Sequence, residues 1–191
     1  MKNLLLTLFP SPVMIWDLEA TELAVISAAI DQAEAQSQRH WDLGRHSVET
    51  SYDPQGVNDV IDLGIQPLAD AIHQCQRRYF ERLGSPPRDL KIVESWFNWY
   101  SVGGYMGDHE HPTCTVSGVY YHRAEEDTAG TLCFRNPNPV ILNKLWPADV
   151  EGMEIVEIPP QPGRLVMFPS WMTHSVNRVE NTKTSISFNM R

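Results

Sequence analysis

Five short runs in the second half of the chain are rich in aromatic and β-branched residues, and they constrain the fold most. They cover residues 93–102, 113–122, 131–134, 163–168 and 184–190, and glycine and proline residues separate them. Runs of this composition bounded by turn residues predict β-strands. Several short strands with turns between them are typical of a β-sandwich or a jelly roll.

The first 90 residues differ, because their apolar residues recur at helical spacing. A first helix is predicted over about residues 18–36, with Asp17 as its N-terminal cap, and a second helical region over 57–83 ends at Gly84. Residues 37–56 are polar and predict a loop or a weak strand. We therefore predict an α+β fold that is mainly β, a sandwich or jelly roll braced by N-terminal helices.

The length of 191 residues fits one domain. We expect residues 1–191 to form a single domain, in which 1–90 give mostly helical support and 91–191 form the β core that carries the site. Lysine and arginine total 15 against 24 aspartates and glutamates, which gives a net charge of −9. This balance argues against duplex nucleic acid as a partner, because phosphate contacts need clustered positive charge.

The three cysteines are odd in number and far apart, and so they predict neither a disulfide framework nor a CxxC site: Cys75, Cys114 and Cys133. Unpaired thiols are typical of the reducing cytoplasm. The apolar run 4–9 is too short for a signal peptide, and no run approaches the ~20 apolar residues that span a bilayer. We therefore expect a soluble, cytoplasmic protein without a membrane segment.

The last predicted strand alternates in character. One face carries Lys183, Ser185, Ser187 and Asn189, and the other carries Thr184, Ile186, Phe188 and Met190. The polar face has two interpretations: an edge strand whose polar side lies in water, or a strand whose polar side lines a ligand cavity while its apolar side packs under the helices.

Three of the seven histidines are arranged like metal ligands. His109 and His111 are two residues apart, so an extended segment would point both imidazoles to one face. His174 lies 174 − 111 = 63 residues later, at the end of another predicted strand. This pattern predicts a facial three-ligand metal site with open positions for substrate or oxygen. The others are interpreted as surface or structural histidines: His40, His46, His73 and His122.

The residues before His109 extend this motif. Asn98, Tyr100 and Gly103 precede it in the pattern N-x-Y-x-x-G-x-x-x-x-x-H-x-H. The pattern resembles the N-x-Y-x-x-G-x-x-x-x-x-H-x-D signature of the alkylation-repair branch of the 2-oxoglutarate- and iron(II)-dependent dioxygenases. The resemblance implies that Asn98 and Tyr100 contact 2-oxoglutarate.

Lys183 and Asn189 complete the predicted cofactor-binding residues. Lys183 lies 183 − 174 = 9 residues after His174, about where prolyl-hydroxylase-like members have an Arg or Lys that pairs with the far carboxylate of 2-oxoglutarate. A buried dicarboxylate needs a fixed cation, since its desolvation is otherwise not offset. Asn189 lies on the same strand face.

Longer stretches resemble a narrower family of small 2-oxoglutarate/iron(II) oxygenases found in bacteria and tailed phages. They are LFPSPV, HPTCTVSGVYYH, GRLVMFPSWMTHSV and KTSISFN. The resemblance implies a double-stranded β-helix that uses iron(II), 2-oxoglutarate and molecular oxygen. It also implies hydroxylation of a C–H bond with release of succinate and carbon dioxide.

The third metal ligand departs from the usual pattern, because His111 stands where the common triad has a carboxylate. We expect His111 to be the ligand, with Asp108 and Glu110 on the opposite strand face, but the sequence leaves the assignment between them open. Trp96, Trp99 and Trp171 near the motifs are either core residues or a substrate wall.

Two other functions stay open at this point. One is a three-histidine, cupin-like metal dioxygenase that does not use 2-oxoglutarate, and the other is a non-catalytic jelly-roll binding module. The sequence does not identify the substrate, for which a protein side chain or a small molecule is expected, and it leaves a homo-oligomer open.

Overall fold

The computed structural model describes residues 11–41, 47–86, 88–125, 130–137 and 154–191. Within these ranges the chain is mainly β, as predicted, with two antiparallel sheets and three helices. The helices are α1 (Ala20–Glu34), α2 (Asp59–Asp62) and α3 (Gln66–Arg82).

A seven-stranded sheet forms the base of the fold. Its strands are β1 (Met14–Asp17), β2 (His40–Trp41), β3 (Val48–Thr50), β4 (Ile92–Tyr100), β6 (Val116–Ala124), β9 (Arg164–Pro169) and β11 (Lys183–Met190). Their order across the sheet is β1-β9-β6-β11-β4-β3-β2. A smaller sheet consists of β5 (Met106–His109), β7 (Leu132–Arg135), β8 (Ile155–Ile158) and β10 (His174–Val176), in the order β5-β10-β7-β8.

The helices pack on one face of the large sheet and form the main apolar core with it. Ile30 of α1 and Ile72 of α3 are fully buried against sheet residues that include Phe97 and Ile186. Each Å² of apolar surface buried in this core stabilises the fold by roughly 25 cal/mol. Because the helices cover one face of the large sheet, the core does not require apolar side chains on its other face.

Strand β11 shows how the sheet uses its two faces. It pairs with β4 on one side and β6 on the other, so the edge-strand interpretation is wrong. Ile186, Phe188 and Met190 enter the helical core. The alternate residues turn to the other face, where Lys183, Ser185, Ser187 and Asn189 line a cavity.

Two details of the N-terminal half correct the predictions. Asp17 does not cap α1, because it belongs to β1 and is held by a bidentate ion pair with Arg164, at 2.7 and 2.9 Å. The helix begins after Glu19, whose backbone N–H donates to the Glu22 carboxylate. The second helical region is divided in two, because the backbone at Gly64 has a φ of 68°, which ends α2 before α3 begins.

Candidate metal centre and cofactor cavity

A cavity of about 240 Å³ is lined by residues of both sheets. One part of it is surrounded by three histidines, and another contains a buried lysine. Both sets of side chains come from the segments in which the sequence predicted a metal site and a cofactor site.

The three histidines meet because two short strands pair. His109 at the end of β5 lies directly opposite His174 at the start of β10. His111 follows β5 by two residues and joins them, and one nitrogen from each ring lies within 4.8 Å of the others. The ring centroids are 4.2 Å apart for His109 and His174, and 5.1 and 5.3 Å from His111.

Backbone carbonyls orient two of the three rings. His109 Nδ1 is 2.9 Å from the carbonyl oxygen of Gly107, and His174 Nδ1 is 2.8 Å from that of Met172. A carbonyl only accepts, so each Nδ1 carries the proton and each Nε2 keeps its lone pair. Burial, with the adjacent His109, lowers the pKa of His174 to about 3, so this ring is neutral, as a metal ligand must be.

His111 is held by Asn189. The Asn189 side-chain nitrogen is 3.4 Å from His111 Nδ1 and donates to Glu94 at 2.8 Å, while its oxygen accepts from Ser117 at 2.7 Å. Asn189 therefore lies beside the histidine cluster, and its two other polar contacts fix the orientation of the amide. Ser117 also contacts Ser170, whose carbonyl accepts the His111 backbone N–H.

The two acidic neighbours of His109 have other partners. Asp108 is ion-paired with Arg135, and Glu110 accepts a hydrogen bond of 2.6 Å from the Thr173 hydroxyl. Among the residues that the structure describes, neither carboxylate joins the group of potential ligand atoms that His109, His111 and His174 form. Glu110 lines the cavity, so our expectation that it points away is wrong.

A second group with metal-ligand chemistry links α1 to the sheet: Asp31, Glu34 and His122. Its carboxylates are already bound by Arg39 and Arg123, at 2.5–2.8 Å. These guanidinium groups satisfy the negative charge, so the group ties helix to sheet. His122 is accordingly a structural histidine, as the sequence predicted.

Lys183 lies in the cavity with 2% of its surface exposed. Its ammonium donates to the Gly130 carbonyl at 2.8 Å and lies 4.3 Å from the centroid of the Tyr100 ring and 5.6 Å from that of Tyr121. Burial lowers its pKa to about 7. Within the described ranges no carboxylate forms an ion pair with it.

The other two predicted cofactor contacts differ in position. Tyr100 lines the cavity next to Lys183. Asn98 is on the same strand face but is not among the described residues that line the cavity. Its side chain is engaged by Ser187, to which it donates at 3.1 Å, and by the Thr50 hydroxyl, from which it accepts at 3.2 Å.

The three tryptophans have different roles. Trp96 is buried, lines the cavity and lies 5.9 Å from His111 between ring centroids. Trp99 belongs to the helical core, where it stacks on Phe97 and donates to Glu34. Trp171 is 50% exposed and is not among the described lining residues.

Sequence reasoning missed Tyr52, Glu94 and Gly118. Tyr52 lines the cavity from the loop after β3, edge-on to Trp96 at 5.1 Å between ring centroids. Gly118 leaves room for Phe188, because a β-carbon there would lie 2.3 Å from the Phe188 ring. A glycine within an aromatic strand was the one available signal; nothing local marks Tyr52 or Glu94.

Comparison with known proteins gives a consistent result. The family described as "Putative 2OG-Fe(II) oxygenase" matches residues 94–189, which contain all seven predicted site residues. A PKHD-type hydroxylase of Parvibaculum lavamentivorans is 30% identical over 115 residues, which cover 56% of this chain and 50% of the relative. The chain thus spans about half the length of the curated relative it matches.

Two solved structures show the same fold. An oxidoreductase of the 2OG-Fe(II) oxygenase family from Burkholderia pseudomallei superposes with a TM-score of 0.65 at 17% identity, over 93% of this chain and 83% of that one. HygX from Streptomyces hygroscopicus, with nickel, 2-oxoglutarate and hygromycin B bound, gives a TM-score of 0.60 at 8% identity, over 94% and 82%.

Proposed function

This chain belongs to the family of 2OG-Fe(II) oxygenases, and we propose that it is a 2-oxoglutarate- and iron(II)-dependent dioxygenase. It would hydroxylate a C–H bond of a protein side chain or a small molecule and release succinate and carbon dioxide. The main support is that Lys183, which is buried and has no carboxylate partner among the described residues, lines the same cavity as three clustered imidazoles.

The histidine cluster fits a divalent iron ion. Its ligands would be His109, His111 and His174, because their ligand atoms converge within 4.8 Å and two rings are fixed with Nε2 available. Imidazole nitrogen suits iron, and three facial ligands leave positions open for other molecules. Bound iron supplies the redox chemistry with oxygen, and the protein supplies orientation and the surrounding cavity.

The lysine end of the cavity fits the distal carboxylate of 2-oxoglutarate. In the part of the chain that the structure describes, the Lys183 ammonium meets a carbonyl and two aromatic rings but no carboxylate, so it would gain most from an anion. Tyr100 borders the same space. Contacts of Asn98 and Asn189 with 2-oxoglutarate stay predictions; Asn98 would have to exchange its bond to Ser187, and Asn189 lies beside His111.

The architecture of the whole chain supports the same function. The two antiparallel sheets with a cavity lined from both support a double-stranded β-helix, and we propose a single oxygenase domain over residues 1–191. Three free cysteines support a reducing, cytoplasmic location. Within the described ranges, no helix is both long and apolar enough to span a membrane.

The proposed function is tested by cofactor binding. Purified apoprotein should bind one iron(II), and 2-oxoglutarate added without oxygen should give a visible metal-to-ligand charge-transfer band. Admission of oxygen should then release succinate. A colourless complex with no 2-oxoglutarate detected by calorimetry would favour the cupin-like alternative, and failure to bind iron(II) would favour a binding module; no present observation supports either.

A further inference from the structure

Two exposed side chains border the cavity among the residues that the structure describes. Of the described residues that line it, only Tyr52 and Glu110 are exposed, while His109, His111, Val176 and Ser187 are partly exposed and the rest are buried. The described part of the solvent-facing border of the cavity therefore offers an aromatic ring and a carboxylate.

The chemistry of this border is specific. Tyr52 packs edge-on against the buried Trp96, which in turn lies 5.9 Å from His111, so an aromatic wall leads from the border to the metal ligands. Glu110 accepts one hydrogen bond from Thr173, and no described lysine or arginine pairs with it. Lys183 is the only described cation among the lining residues, and it lies at the cofactor end.

We propose that the substrate end of the cavity receives an alkylammonium or guanidinium group, an inference that rests on the proposed function. An aromatic ring and a carboxylate that line one cavity, the latter without a cationic partner among the described residues, attract an organic cation through the ring quadrupole and the charge. The net charge of −9 would draw a cation toward the chain and repel an anion. The alkyl part next to the cation would then lie along Trp96, toward the iron ligands.

The test uses the iron(II) protein saturated with 2-oxoglutarate, without oxygen, so that Lys183 is already paired. Calorimetric titrations with n-hexylamine, 1-hexanol and hexanoate compare one chain length in three charge states. Hexylammonium should bind roughly tenfold more tightly than hexanol, and hexanoate should bind most weakly. Equal binding of hexanol or hexanoate, or no binding of hexylammonium, would overturn the inference.

Matched variants locate the effect. Glu110→Gln should lower the affinity for hexylammonium roughly fivefold and leave the affinity for hexanol unchanged. Asp108→Asn alters a carboxylate outside the lining residues and should change neither affinity. Tyr52→Leu should weaken the binding of hexylammonium. Tyr52→Phe should bind it as tightly as the unmodified protein, because the aromatic ring remains. Unchanged cation affinity in both Glu110→Gln and Tyr52→Leu would also overturn the inference.

Succinate release under oxygen distinguishes a cation on a protein side chain from a cation on a small molecule. Succinate release is compared for free hexylamine, for capped lysine and arginine amides, and for hexapeptides containing them, each against its acetyl-lysine or citrulline counterpart. If only the peptides stimulate succinate release, the substrate is a protein side chain. If the small compounds stimulate it, the substrate is a small molecule. Loss of 2-oxoglutarate binding itself would refute the proposed function, which is a separate outcome.

Discussion

Lys183 gives the most demanding test of the proposed cofactor site, because we expect its charge state to change when 2-oxoglutarate binds. Its pKa is lowered to about 7 by burial, so at pH 8 only about one tenth of the molecules carry the ammonium. A carboxylate placed beside it favours the charged form and raises the pKa again. Binding at pH 8 should therefore take up about 0.9 proton per molecule of 2-oxoglutarate.

The affinity for 2-oxoglutarate should depend on pH for the same physical cause. Above pH 7, protonating Lys183 becomes part of the binding reaction, and the affinity for 2-oxoglutarate should fall about tenfold per pH unit. Below pH 7 the lysine is already charged, so this dependence should level off. The direction follows from a pKa that is lower in the free protein than in the complex.

Calorimetry on iron(II)-loaded protein without oxygen, in buffers of different ionisation enthalpy, measures both quantities. Lys183→Met should abolish the proton uptake. It should also weaken the binding of 2-oxoglutarate by roughly 2–5 kcal/mol, about 30-fold to 4,000-fold in affinity, because the ligand carboxylate loses its buried partner. Iron affinity should barely change, since Lys183 is not a ligand.

Lys91→Met is the matched control, because Lys91 is exposed and lies outside the cavity lining. It should bind 2-oxoglutarate with unchanged affinity and unchanged proton uptake. The reasoning is refuted if the unmodified protein takes up no proton at pH 8, or if Lys183→Met binds 2-oxoglutarate as tightly as before.

Three further substitutions test the ligand set and the packing around it. His111→Asp restores the common triad and should retain or increase iron(II) affinity, whereas His111→Ala should lose it; normal iron binding by His111→Ala would show that the third ligand is misassigned. Gly118→Ala places a β-carbon 2.3 Å from the Phe188 ring and should lower the free energy of unfolding in urea by roughly 1–3 kcal/mol; unchanged stability would contradict this close packing. Glu34→Ala leaves the buried Trp99 Nε1 without its 2.6 Å partner and should cost about 1–3 kcal/mol; a thermal midpoint equal to that of the unmodified protein would show that the link between α1 and the sheet is unimportant.

The prediction for β11 rests on short-range periodicity. Alternation along β11 separates Ile186, Phe188 and Met190 from the polar side chains, and a period of two residues is fixed by the backbone itself. His109 and His111 also lie together as predicted, but β5 ends at His109 and Glu110 lines the same cavity, so strand alternation does not account for this pair. Local geometry of the kind seen in β11 can be read from the sequence without knowing the rest of the fold.

The features that were missed depend on long-range contacts. Tyr52 reaches the cavity because β3 pairs with β4, which lies about 50 residues later in the chain. No local sequence pattern encodes that pairing. Asp17 has the side chain of a good helix cap, but its ion pair with Arg164 places it in a strand. The strands that bring His109 and His174 together have four and three residues, too few to show a pattern.

The fold accepts a destabilising residue at the cofactor end of the cavity. In an unfolded chain a lysine keeps its ordinary pKa of 10.5, and in this fold Lys183 titrates near 7, so below pH 7 its burial costs about 5 kcal/mol of folding stability. Stability should rise with pH between about 7 and 10.5, where the unfolded chain binds more protons. A dicarboxylate bound as we propose would remove this cost by pairing with the ammonium, and protonation of Lys183 and cofactor binding would then strengthen each other. The apolar face of the same strand, buried under two helices, holds Lys183 in place while its charge is unmatched.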